Sequence, residues 1–157
     1  MPTLVFVFGT LKQGFPNAAT NRGARWPGNF RTEAAYPLFL VGERHVPWLL
    51  NAPGTGLPVI GEVYAVDEAA LRDMDALERV GHPDGYVRQG ITVVPAGIEP
   101  GSPLAVQAYL KPANTLAPQD IRLGPLAEYT LAHAALYGRR ASCRVESGGR
   151  DAAPDRQ

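Results

Sequence analysis

Five short runs of β-branched and aromatic residues set the pattern of this chain: Leu4–Phe8, Tyr36–Val41, Val59–Val66, Tyr86–Val94 and Leu104–Leu110. Each has the length and composition of a strand. Pro47-Trp48-Leu49-Leu50 adds a candidate sixth strand, which its proline confines to an edge or to a strand start. Two segments carry helix signals. Asp67 is a good N-cap residue for a helix that runs through Glu78 until Gly81 and Pro83 stop it. A second helix is expected over Pro125–Tyr137, with proline at its start and Gly138 just past its end. Strands outnumber helices and do not alternate with them. That pattern predicts an α+β domain on a mixed, mainly antiparallel sheet able to curl into a barrel, rather than a doubly wound parallel sheet.

The 17 glycines and 15 prolines make the chain turn often, while 45% hydrophobic residues keep it in the globular class. A length of 157 residues suits one domain, expected over 1–138. From Arg139 onward the text is polar, contains Gly148-Gly149 and has no apolar period, so 139–157 reads as a mobile tail. The apolar run at the start has no basic residues before it and ends at Gly9, too short for a membrane span or a usual signal peptide. With Cys143 as its single cysteine the chain forms no internal disulfide, and a cytoplasmic location is expected. Lys plus Arg equals Asp plus Glu at 15 each, without long blocks of one sign. Neither a nucleic acid nor a membrane is therefore an expected partner, and a small neutral or zwitterionic ligand suits the balance better.

Glu78 is the most informative candidate for chemistry. At about 100° per residue, Ala70, Leu71, Met74 and Leu77 form one apolar stripe on the Asp67 helix, and Glu78 falls between Met74 and Leu71. A carboxylate turned to the core is costly unless paired, bonded or protonated, and desolvation moves it towards the range useful for general acid/base work. The same position also suits a glutamate that reaches solvent or pairs with an arginine such as Arg88. Phe8-Gly9-Thr10-Leu11 closes the first strand, where a glycine lets a ligand approach the main chain and successive N–H groups can hold an anion. An ordinary strand-exit turn has the same spelling. The Gly9 to Gly14 spacing is that of a phosphate loop, but Phe15-Pro16 stands where Lys and Ser or Thr are required, which excludes it. His45, His82 and His133 show no metal-ligand spacing, and no metal is expected. Cys143 has no base near it in sequence, and no Gly-x-Ser-x-Gly elbow occurs. Tyr86 and Arg88 alternate along one strand face and are placed to flank a common cleft, or to pack across strands.

These stretches resemble a family. Phe8-Gly9-Thr10-Leu11 is similar to the Tyr-Gly-Ser/Thr-Leu signature of the gamma-glutamylcyclotransferase-like proteins. Tyr36-Pro37-Leu38, Pro47-Trp48-Leu49-Leu50, Gly61-Glu62-Val63-Tyr64-Ala65-Val66, Asp75-Ala76-Leu77-Glu78 and Tyr86-Val87-Arg88 follow in the order and spacing of the gamma-glutamylamine cyclotransferase branch. The resemblance covers about residues 4–110 and implies a compact mixed β-barrel with peripheral helices and a cavity at its mouth. It implies that Glu78 is the catalytic glutamate. It further implies that Phe8, Gly9, Thr10 and Leu11 form the segment that binds the γ-glutamyl group, and that Tyr86 stands near the glutamate. Phe8 departs from the family's tyrosine and brings no hydroxyl.

The implied reaction closes a γ-glutamyl amide into 5-oxoproline and a free amine, with a small γ-glutamyl compound as partner and without a cofactor. Two other readings stay open. One is a non-catalytic ligand-binding or interaction module on the same fold, favoured by Phe8. The other is removal of a γ-glutamyl protecting group from a biosynthetic intermediate, the same chemistry with a larger leaving amine.

Overall fold

The computed structural model describes residues 2–97 and 101–138, so the expected tail at 139–157, with Cys143, lies outside the described residues. The chain runs β1 (Thr3–Val7), β2 (Ala24–Arg25), β3 (Phe30–Thr32), β4 (Leu38–Val41), β5 (Val46–Leu49), β6 (Ile60–Val66), α1 (Glu68–Leu77), β7 (Val87–Pro95), β8 (Leu104–Leu110), β9 (Ile121–Leu123) and α2 (Leu131–Ala134). The main sheet has the order β1-β8-β7-β3-β6-β2, and β1 also pairs with β6, which closes five of the strands into a barrel. The β1–β8 pairing is parallel; the others in the barrel are antiparallel. Closure removes the exposed sheet edges that five short strands would otherwise present.

β1 shows why the first run is apolar without interruption. Phe6 points into the barrel among Phe30, Val63, Val93, Val106 and Leu110. Its neighbours Val5 and Val7 point outward against Ala70 and Met74 of α1. A strand buried on both faces has no polar alternation to show. α1 itself follows the expected stripe: Asp67 caps it by accepting from Ala70 N at 2.8 Å, and Ala70 and Met74 are buried against the outer wall.

The strand at Pro47 forms as an edge, in a second sheet of order β5-β4-β9, where Pro47 stands opposite Leu40. This small sheet rests on the barrel through main-chain bonds from Lys111 N to Leu49 O and from Asn51 N to Lys111 O. β2, β3 and β9 were not expected, being two or three residues long. The second helix differs from expectation. The Gly124–Pro125 peptide is cis, residues 124–130 are not helical, and the helix is confined to Leu131–Ala134. Ile60 N donates to Ala127 O and Leu126 N to Leu38 O, while Tyr129 is fully buried in the barrel core. Those long-range partners outweigh the weak local preference that proline and alanine express. Among the described residues no helix is long and apolar enough to cross a membrane.

Candidate active site

A cavity of about 620 Å³ lies where the end of β1 meets the β4–β5 hairpin and the end of α1. Phe8, Gly9, Thr10, Leu11, Glu78 and Tyr86 all line it. The sequence scatters these groups over nearly eighty positions; the barrel brings them to one rim.

The loop after β1 is held by several hydrogen bonds. Lys12 N donates to Gly9 O at 3.1 Å and Asn17 N to Thr10 O at 2.8 Å, while Asn17 Nδ2 donates to Thr10 Oγ1 at 2.9 Å and to the Tyr137 hydroxyl at 3.3 Å. Among the described residues the N–H groups of Thr10 and Leu11 donate to no main-chain acceptor. Gly9 also has a packing reason that the sequence did not show. A Cβ there would meet Pro47 Cγ at 2.9 Å and Pro47 Cβ at 3.4 Å, so the close approach that glycine permits is made by β5.

Glu78 is the C-cap residue of α1, half-buried in the cavity wall. Its carbonyl accepts from Tyr86 N at 3.0 Å, which ties the end of the helix to the start of β7. The Tyr86 hydroxyl donates to Pro47 O at 2.6 Å. Burial pushes this phenol well above its ordinary range, and the charge of Glu78 pushes it further. Tyr86 therefore stays a neutral donor that bridges the glutamate side of the cavity to β5.

Arg88 does not pair with Glu78 and does not line the cavity with Tyr86. Its Nε and Nη2 bind the Asp75 carboxylate at 2.9 and 3.2 Å, and that carboxylate also accepts from the Tyr109 hydroxyl at 2.7 Å. Asp75 lies three residues before Glu78, one helical turn away, so the pair sets the helix against β7 and β8 instead. Burial first, and the Asp75 bond next, raise the Tyr109 phenol.

Lys111, Tyr137 and Arg44 are among the cavity residues that escaped sequence reasoning. Lys111 is 5% exposed, and its Nζ donates to Asp84 O at 2.6 Å beneath the faces of Trp48 and Tyr86. Tyr137 closes another side, next to Arg44, whose Nε donates to Gly138 O at 2.7 Å while Gly138 N returns a bond to Arg44 O at 2.9 Å. None of the three has a local signature, since their partners are remote in sequence. Among the described residues no cluster of three or more His, Cys, Asp or Glu side chains is arranged to hold a metal.

A sequence model of the gamma-glutamyl cyclotransferase, AIG2-like family matches residues 5–131, most of the described chain. The chain belongs to this family. Among its relatives, the gamma-glutamylaminecyclotransferase of Homo sapiens is 43% identical over 131 residues, covering 76% of this chain and 84% of the relative. That of Bos taurus is 40% identical over 131 residues, covering 80% and 74%. The crystal structure of an AIG2-like protein from Mus musculus superposes with a TM-score of 0.77 at 33% identity, covering 90% of this chain and 99% of that one. The family fold is thus the closed mixed barrel that the resemblance implied, with a second sheet beside it.

Proposed function

We propose that this cyclotransferase-family enzyme converts a γ-glutamyl amide into 5-oxoproline and a free amine, with Glu78 moving the protons. The observation that carries the reading is the meeting of Glu78, the Gly9-Thr10-Leu11 main chain and Tyr86 in one cavity. Such a substrate holds its own nucleophile, the α-amine, which reaches the γ-carbonyl through a five-membered ring. Tethering replaces the machinery that would otherwise activate an external nucleophile.

The α-amine is an ammonium at neutral pH, so Glu78 first removes a proton from it. The free amine attacks the γ-carbon, forming the new C–N bond and placing negative charge on the carbonyl oxygen. The N–H groups of Thr10 and Leu11 are suited to hold that oxygen, each donor in such a site contributing about 3 kcal/mol to the transition state. As the old C–N bond breaks, Glu78 gives its proton to the departing nitrogen, acting as base and then as acid. The ring nitrogen's remaining extra proton follows by the same carboxylate, so that 5-oxoproline leaves with a neutral ring nitrogen and the amine leaves as an ammonium. Tyr86 keeps the two sides of the cavity in register through its bonds to Glu78 and Pro47. Phe8, buried in the wall, adds apolar surface where the family carries a hydroxyl.

The test compares a γ-glutamyl amide with its N-acetylated form and identifies the acid released. Cyclisation predicts 5-oxoproline from the free compound and no turnover of the blocked one. Glutamate as first product, or undiminished cleavage of the blocked substrate, refutes the reading and makes water the attacking group.

A further inference from the structure

Glu62 is a carboxylate in an otherwise apolar stretch of β6. It stands opposite Val7, is 7% exposed, and shares the outer face of the strand with Tyr64, while Val63 between them faces the barrel core. Its Oε1 accepts from Gln13 N at 2.9 Å and from the Tyr64 hydroxyl at 2.9 Å, and its Oε2 lies 3.4 Å from Arg25 Nη2. A buried carboxylate of this kind rarely out-stabilises an apolar side chain of its size. What it contributes is direction, because charge-assisted bonds fix where their donors stand.

Gln13 lies two residues after Leu11, in the turn that follows β1. Within that turn Gly9 O accepts from Lys12 N at 3.1 Å, Thr10 O from Asn17 N at 2.8 Å and Leu11 O from Asn21 Nδ2 at 3.1 Å. The C=O and N–H of a trans peptide point opposite ways, so the bonds at Gly9 O and Thr10 O also set the directions of the Thr10 and Leu11 N–H groups. These bonds close within residues 9–21 and shape the turn. Two of those that place it against the barrel differ in kind: Lys12 Nζ reaches Tyr129 O through a four-carbon side chain, whereas Glu62 grips the main chain itself at Gln13. Arg25 Nη1 donates to Gln13 Oε1 at 2.7 Å and holds the same residue by its side chain.

We propose that Glu62 is a positioning residue for the reaction: through Gln13 N it holds the turn whose Thr10 and Leu11 N–H groups receive the γ-carbonyl oxygen. The inference rests on the function proposed above. Glu62 is outside the cavity lining and touches no substrate; it acts from behind the wall. The negative charge on that oxygen peaks in the transition state, so a turn that drifts by a fraction of an ångström weakens the transition state more than the bound substrate.

The experiment compares Glu62→Gln and Glu62→Met with the wild type. Gln13 N and the Tyr64 hydroxyl both meet Oε1, the oxygen that glutamine keeps, while methionine fills the space without an acceptor. Glu62→Met is expected to lower kcat for a γ-glutamyl amide roughly 10- to 100-fold with KM within about twofold of the wild type. Glu62→Gln should recover most of kcat, and the pH–rate profile should keep its shape in both, since the base is untouched. Wild-type kcat in Glu62→Met, a loss on KM alone, or a glutamine variant as slow as the methionine one overturns the proposal. Should Glu62→Met not fold, Glu62→Asp decides: it keeps the charge but draws the carboxylate one bond length back from Gln13 N, and wild-type kcat in that variant overturns the proposal too. Amide hydrogen exchange followed by NMR needs no turnover. The Gln13 N–H should exchange roughly 10-fold faster in the folded variant that lacks the bond, and the Thr10 and Leu11 amide signals should shift with it; unchanged exchange and unchanged signals overturn the proposal. If these change as expected while the wild type turns over no γ-glutamyl amide, the hold of Glu62 on the turn stands and the proposed reaction fails.

Discussion

Replacing Gly9 by alanine should loosen the site while leaving the barrel folded. The new Cβ would stand 2.9 Å from Pro47 Cγ, whereas ordinary contact begins at 3.4 Å, so one side must retreat by about 0.5 Å (3.4 − 2.9). Neither side yields easily. Pro47 is a rigid ring registered against Leu40, and the Gly9 loop is held by the bonds from Lys12 N and Asn17 N. Overpacking of this kind typically costs about 1–3 kcal/mol. In a domain of this size that corresponds to a fall in Tm of roughly 2–12 °C. The displacement also reaches the chemistry, because Pro47 O is the acceptor of the Tyr86 hydroxyl and Gly9 adjoins the donors at Thr10 and Leu11. A shift approaching 1 Å at such positions can lower turnover by up to about 100-fold. Thermal unfolding followed by circular dichroism gives the first quantity, and release of 5-oxoproline from a γ-glutamyl amide gives the second. A Gly9→Ala protein with wild-type Tm and wild-type kcat/KM would falsify the argument that Pro47 dictates glycine there.

Glu78→Gln keeps the shape of the side chain and removes the base, so turnover should fall by about 10²–10⁴ with an unchanged circular dichroism spectrum; retention of full activity takes Glu78 out of the mechanism. Tyr86→Phe leaves Pro47 O without its 2.6 Å donor, and a loss of about 1–3 kcal/mol in urea unfolding is expected; an unchanged midpoint means that another donor replaces the hydroxyl. Alkaline stability should follow the buried phenols. Burial, with the Glu62 bond next, pushes Tyr64 up to about 12 in the folded protein, against 10 in the unfolded chain. A raised folded value means that stability is complete below pH 10 and is lost as the pH climbs from 10 towards 12, where the unfolded chain releases its proton first. Denaturant midpoints measured between pH 9 and pH 11.5 should decline accordingly, and the decline should be smaller in Tyr64→Phe; equal declines in the two proteins sink the assignment to Tyr64.

Strand runs, the Asp67 cap and the apolar stripe of α1 were legible in the residues because each depends on neighbours within a turn or a few positions. Glu78 was legible for the same reason: its place beside Met74 and Leu71 is a matter of helical period, and the family motifs agreed with it. The loop at Gly9 was legible as a strand exit, but the contact with Pro47, a residue on another sheet, was not. Arg88 shows the same limit. Its strand face was predictable, but its choice of Asp75 over Glu78 depends on how α1 rests against β7. The segment after Gly124 misled because its proline and alanines carry a weak local helix preference, while burial of Tyr129 and bonds to β4 and β6 act over long separations and are larger. Lys111 was invisible. A lone lysine after a strand ordinarily reaches solvent, and only closure of the barrel against the β4–β5 hairpin encloses its ammonium between Trp48 and Tyr86. Local order and the place of Glu78 on the helix were thus in the sequence itself, whereas the tertiary fold decided which charges share the cavity, because burial and charge pairing depend on distances that chain separation does not determine.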